Sequence, residues 1–75
     1  MTSLSDMKPN TRVRVAGIEG DVRLLTRLAS VGLVPGCTMQ VVRNDAHRPV
    51  LVFERDSMVA INRTEAQRIQ VEEVA

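Results

Sequence analysis

The chain contains one imidazole, His47, and one thiol, Cys37. Covalent catalysis by a thiol needs a base within hydrogen-bond reach of the sulfur. Here the two groups fall in separate turns on either side of the segment Thr38–Arg43, and nothing in their spacing brings them together. Cys37 reads as a small turn residue and His47 as a solvated loop residue, so no enzyme is expected. Asp45, Glu54 and Asp56 add oxygen donors near His47. None of their intervals matches a zinc or calcium motif, so no resident metal is expected, with His47 and Cys37 as the candidate ligands if one were bound. The glycines of "GIEGDVR" precede a helix but lack the Lys-Ser/Thr of a phosphate-binding loop. No cofactor is implied. Of the charged residues, Arg23 and Arg27 have the most informative spacing: one helical turn apart, they repel unless a partner or a carboxylate meets them.

The helix that would carry these two arginines is legible. Asp21 can cap it, its carboxylate accepting from the free amides of the first turn at the positive end of the dipole. Leu24, Leu25, Leu28 and Val31 fall on one face, and Arg23, Thr26, Arg27 and Ser30 on the other. Gly32 should end the helix in a left-handed conformation, folding Leu33 back onto Leu28. Val34-Pro35-Gly36-Cys37 then reads as a type II turn, with Pro second and Gly third. The strand Thr38–Arg43 follows with no polar linker, so the helix is clamped against the sheet its own next strand enters.

The remaining elements are short strands. "TRVRVAGI" alternates, with Val13 and Val15 on one side and Arg12 and Arg14 on the other. Pro9-Asn10 makes the turn before it, Asn10 tolerating a left-handed backbone. Ser5 or Asp6 can cap a short turn anchored by Leu4 and Met7. "NDAHRP", the most polar loop, leads to "VLVF"; "ERDS" turns the chain into "MVAI". Thr64–Gln67 looks like one helical turn capped by Thr64 or Asn62, and "RIQV" closes the sheet. The Asn62-Arg63-Thr64 sequon is taken as chance. Five short strands and one helix suggest a small, partly open β-barrel. Its expected core includes Val13, Val15, Leu25, Leu28, Leu33, Val41, Val52, Ile61 and Ile69.

Seventy-five residues make a single domain, residues 1–75, near the lower limit for folding without a staple. One aromatic residue, Phe53, and a formal net charge of +1 argue against a nucleic-acid binder, which needs stacking rings and a basic excess. A single cysteine fits a reducing compartment. "MTSLSDMKPN" has no signal-peptide pattern, and no apolar run approaches the ~20 residues that span a bilayer. The expected location is cytoplasmic, any membrane role being indirect.

The run "RLASVGLVPGCTMQVV" with "PVLVFERDSMVAINRTEAQRIQV" resembles the FeoA family, small cytoplasmic companions of the bacterial ferrous-iron transporter FeoB. The match rests on Arg27-Leu28, the joint Val31–Gly36, Met39–Val42, Pro49–Phe53, Val59-Ala60-Ile61, Ala66 and Ile69-Gln70-Val71. It extends from Leu4 to Val71. The resemblance implies an SH3-like β-barrel of about five strands with the helix inserted after the first. Two positions depart from the family pattern: Asn10, and Ala46-His47-Arg48, where relatives often carry Gly. The implied function is that of a non-enzymatic accessory that binds the cytoplasmic part of FeoB, as a monomer or weak homo-oligomer. The expected docking face is the helix and joint, namely Arg23, Arg27, Leu33, Pro35 and Gly36, with Asn10, Gly32 and Gly36 as structural turns. The alternative is a metal-sensing or regulatory domain related to the C-terminal domain of iron-dependent repressors. With no helix-turn-helix ahead of the first strand, a free-standing module is the simpler reading.

Overall fold

A computed structural model describes residues 2–74. In chain order the elements are β1 (Thr2–Ser3), a 3₁₀ turn (Leu4–Asp6), β2 (Thr11–Ile18), α1 (Val22–Ser30), β3 (Thr38–Arg43), β4 (Val50–Glu54), β5 (Ser57–Ile61), α2 (Arg63–Ala66) and β6 (Ile69–Glu73). All strand pairings are antiparallel, in the order β1-β6-β2-β3-β4-β5, and the two ends of that order do not pair. The sheet is therefore bent but open. Two register shifts, between Val15 and Gly17 and between Val41 and Arg43, supply the bends. Among the described residues six strands form, not the expected five. The extra one is β1, whose two residues pair with Val71 and Gln70 of β6. A two-residue strand has no periodicity, so only the free edge of β6 reveals it.

Alternation sorts the sheet into two faces. Val13, Val15, Met39, Val41, Val50, Val52, Ile61, Ile69 and Val71 point inward and are buried, together with Leu4, Leu24, Leu28, Leu33 and Ala66. Eight of the nine expected core residues are in this set. Leu25 is the exception, at 38% exposed. α1 meets the sheet along a narrow line through Leu24 and Leu28, four residues apart, and Leu25 lies about 100° further round the helix. Val31 is exposed for a related reason, as it already sits at the helix end.

The 3₁₀ turn starts at Ser3 with no side-chain cap, because Ser5 and Asp6 lie inside it and not ahead of it; the other turns follow the expected chemistry. Leu24 N donates to Asp21 Oδ1 at 2.9 Å, capping α1. At its far end Leu33 N donates to Leu28 O and Gly32 N to Ala29 O, both at 2.9 Å, with Gly32 at φ +91°. That is the paired closure of a Schellman motif. Cys37 N then donates to Val34 O at 3.1 Å, and Gly36 has φ +95°, which makes the type II turn. The joint is also stitched to the first long strand: Gly36 N donates to Val15 O, and Val15 N to Cys37 O. Asn10 is left-handed at φ 66°, and its N donates to Val41 O. Asn62, not Thr64, caps α2, accepting from Glu65 N at 2.8 Å. The sequon asparagine is thus a helix cap.

Three further residues adopt the left-handed region. Arg55 and Asp56 form the two-residue hairpin between β4 and β5, where both central positions need positive φ. His47, at φ 66°, stands in the loop where the FeoA pattern carries Gly. Its side chain makes no hydrogen bond among the described residues, so the strained backbone is not offset by a contact of its own. His47→Gly is expected to raise stability by about 0.5–1 kcal/mol, the left-handed strain removed exceeding the entropy glycine adds to the unfolded chain. Urea unfolding measures this, and a loss of stability would show that the imidazole holds the loop.

Candidate partner-binding face

The polar side of α1 carries Arg23 and Arg27, as its periodicity requires. α2 lies alongside, its start held by the Asn62 cap. Arg27 forms an ion pair with Glu65 of α2, so it is not the freely solvated cation the helix pattern suggested. Between the two helices runs an open groove of about 300 Å³, to which Asp21, Arg23, Arg27, Asn62, Glu65 and Arg68 contribute. Asp21 is committed to its cap and Glu65 to Arg27. That leaves Arg23 and Arg68, both exposed, with no ion pair among the described residues. Two unneutralised guanidiniums, one on α1 and one in the turn between α2 and β6, offer bidentate sites for carboxylate or phosphate groups.

The other expected docking residues separate. Pro35 and Gly36 are exposed at the joint and contribute nothing to the groove. Leu33 is 1% exposed and belongs to the core, not to a docking face, because the Schellman closure turns its side chain inward. Gly32 and Gly36 keep their turn roles. Arg68 was not singled out from the sequence. It follows a single helical turn and precedes a strand, so no pattern along the chain marks it as sharing a groove with Arg23.

Beneath the joint lies Glu54, the one buried charged residue among those described, at 4% exposed. A β-carbon on Gly32 would stand 2.7 Å from Glu54 Oε1, so the carboxylate occupies the space that the glycine leaves. Arg55 Nε reaches Glu54 Oε2 at 3.2 Å, which explains why an arginine occupies the left-handed hairpin position where Asn-Gly is commonest. Cys37 is half-buried nearby. Burial, reinforced by the Glu54 carboxylate, pushes its thiol up from the ordinary value, away from the thiolate a nucleophile or metal ligand needs. Among the described residues no three His, Cys, Asp or Glu side chains gather in a way that could hold a metal ion. His47 is exposed in its loop, at the far end of β3 from Cys37. The structure does not bring the two together.

The polar loop Asn44–Pro49 is anchored. Arg63 Nη1 donates to Asn44 Oδ1 at 2.8 Å and to Asp45 O and Arg48 O at 3.0 Å, while Nη2 reaches Ser5 O at 3.1 Å. Asn44 Nδ2 donates in turn to Ser5 O and Met7 O. One side chain of α2 thereby ties the loop to the 3₁₀ turn. Among the described residues no helix is long and apolar enough to cross a membrane.

A family model for the FeoA domain matches residues 2–73. A crystal structure described as iron uptake regulatory protein (FeoA) is 30% identical, covers 97% of both chains and superposes with a TM-score of 0.92. The solution structure of FeoA protein from Chlorobium tepidum is 29% identical, covering 99% of this chain and 71% of that one, with a TM-score of 0.87. ScaR with bound Zn²⁺ shares the fold at 23% identity and a TM-score of 0.89, over 99% of this chain and 37% of that one. No curated protein matches the sequence.

Proposed function

The chain belongs to the FeoA family, and we propose that it is a cytoplasmic, non-enzymatic accessory of bacterial ferrous-iron uptake that docks on the cytoplasmic part of a FeoB transporter through the groove between α1 and α2. The family consists of small accessory domains, not of known enzymes, and the fold is the family's small SH3-like, mostly β sheet with one principal helix. A structure of similar length described as an iron uptake regulatory protein supports the iron-uptake setting.

The observation that carries the docking face is the pair Arg23 and Arg68. They line one groove and lack ion-pair partners among the described residues, Arg23 standing on α1 and Arg68 in the short turn between α2 and β6. Little backbone freedom is then lost when an acidic segment binds, the ordering of the two side chains being the main entropic cost. Arg27 is a poor probe, since Arg27→Glu would set a carboxylate against Glu65. The informative variant is Arg23→Glu with Arg68→Glu. It is expected to melt like wild type, because both side chains are exposed, and to lose retention of full-length FeoB in detergent by roughly tenfold or more, as reversing two charge-assisted contacts requires. A folded double variant that retains FeoB like wild type would move the docking face off this groove.

A further inference from the structure

β5 is an edge strand without the usual protection. Natural edges are blunted by shortness, charge, proline or a bulge. The opposite edge, β1, is two residues long. β5 runs five residues, Ser-Met-Val-Ala-Ile, with no charge and no proline, and its register with β4 is unbroken from Val50↔Ile61 to Glu54↔Ser57. Among the described residues its backbone has no hydrogen-bond partner other than β4. Its outward side chains extend an apolar patch. Phe53, 42% exposed, is paired with Met58, 51% exposed, and half-buried Leu51 with exposed Ala60.

We infer that β5 is a self-association site at which a second copy of this chain adds its own β5 antiparallel across a twofold axis at Val59. The strand's composition favours a copy of itself as occupant. In that register Met58 faces the partner's Ala60 and Ala60 the partner's Met58, so a long side chain meets a short one twice. No like charges oppose within the strand, since it has none. Just beyond its ends Asp56 meets the partner's Asn62, a carboxylate opposite an amide. The two Phe53–Met58 patches then join on the outer face of a continuous twelve-stranded sheet, twice the six strands of one chain. An isologous contact of this kind closes at two copies. It leaves Arg23 and Arg68 free, because neither lies on β5.

Sedimentation equilibrium tests the inference on the full chain. Wild type is expected to be a reversible dimer at submillimolar protein. Met58→Lys with Ala60→Lys places two lysine pairs in opposition and should weaken association at least roughly tenfold. Met58→Lys with Ala60→Glu sets each introduced lysine against the introduced glutamate of the other copy and should restore it. Wild type that stays monomeric would overturn the inference, as would a dimer in which the two double variants behave alike. Loss of FeoB retention by both variants, with wild type monomeric, would assign β5 to a foreign strand instead. Amide exchange on wild type needs no variant: β5 amides facing away from β4 should slow as protein concentration rises, and concentration-independent rates would refute the pairing.

Discussion

Gly32→Val is expected to cost more than ~3 kcal/mol, a large share of the stability of so small a domain. Two causes add. At φ +91° a β-branched residue is strained by its own backbone, by about 1–2 kcal/mol. Its β-carbon would also fall 2.7 Å from Glu54 Oε1, forcing a buried carboxylate out of its seat and away from Arg55. A double-mutant cycle separates the causes. In a Glu54→Ala background the collision disappears and the backbone strain stays, so the cycle should show a coupling of about 1 kcal/mol or more. Urea unfolding followed by circular dichroism gives all four corners. A loss below ~1 kcal/mol for Gly32→Val alone would show that the helix end is not locked as the Schellman closure implies.

Arg63→Ala is expected to destabilise by about 2–4 kcal/mol, because it leaves four acceptors, from Ser5, Asn44, Asp45 and Arg48, without their shared donor. Some of those acceptors regain water, which keeps the loss below the sum of four charge-assisted bonds. Arg63→Lys should recover little. An ammonium is a point donor, whereas the planar fork of arginine reaches three backbone carbonyls and an amide oxygen at once. Hydrogen exchange should also quicken in residues 44–49 in both variants. If the lysine variant proves as stable as wild type, the loop is held by Asn44 instead.

These two residues also mark the boundary between local and non-local information. Gly32 was legible: the helix repeat ends there, the next turn needs Pro-Gly, and only glycine takes the backbone the closure demands at no steric cost. The Asp21 cap, the left-handed Asn10, the type II turn at Pro35-Gly36 and the inward Val13 and Val15 were legible for the same reason. Each depends on the conformational preferences of neighbours a few residues apart. The same joint is the most specific of the many modest matches that make up the resemblance to FeoA, so the family was within reach of the sequence too.

Arg63 carried no such mark. It sits in a turn that, taken alone, could have been capped from two positions, and its partners lie 15 to 58 residues away. The same holds for Glu54 beneath Gly32, for Glu65 against Arg27, for Arg68 beside Arg23, and for the exposure of Leu25. The pattern put Leu24 and Leu25 on one face and the expected core took Leu25, whereas the angle at which α1 meets the sheet chose Leu24. The free edge at β5 depends on the strand order, which alternation along one strand does not contain. Backbone preference acts over a turn or two, so it writes itself into local sequence. Charge pairing, burial and strand order depend on which distant segments the closed chain sets side by side, and only the assembled fold decides those neighbours.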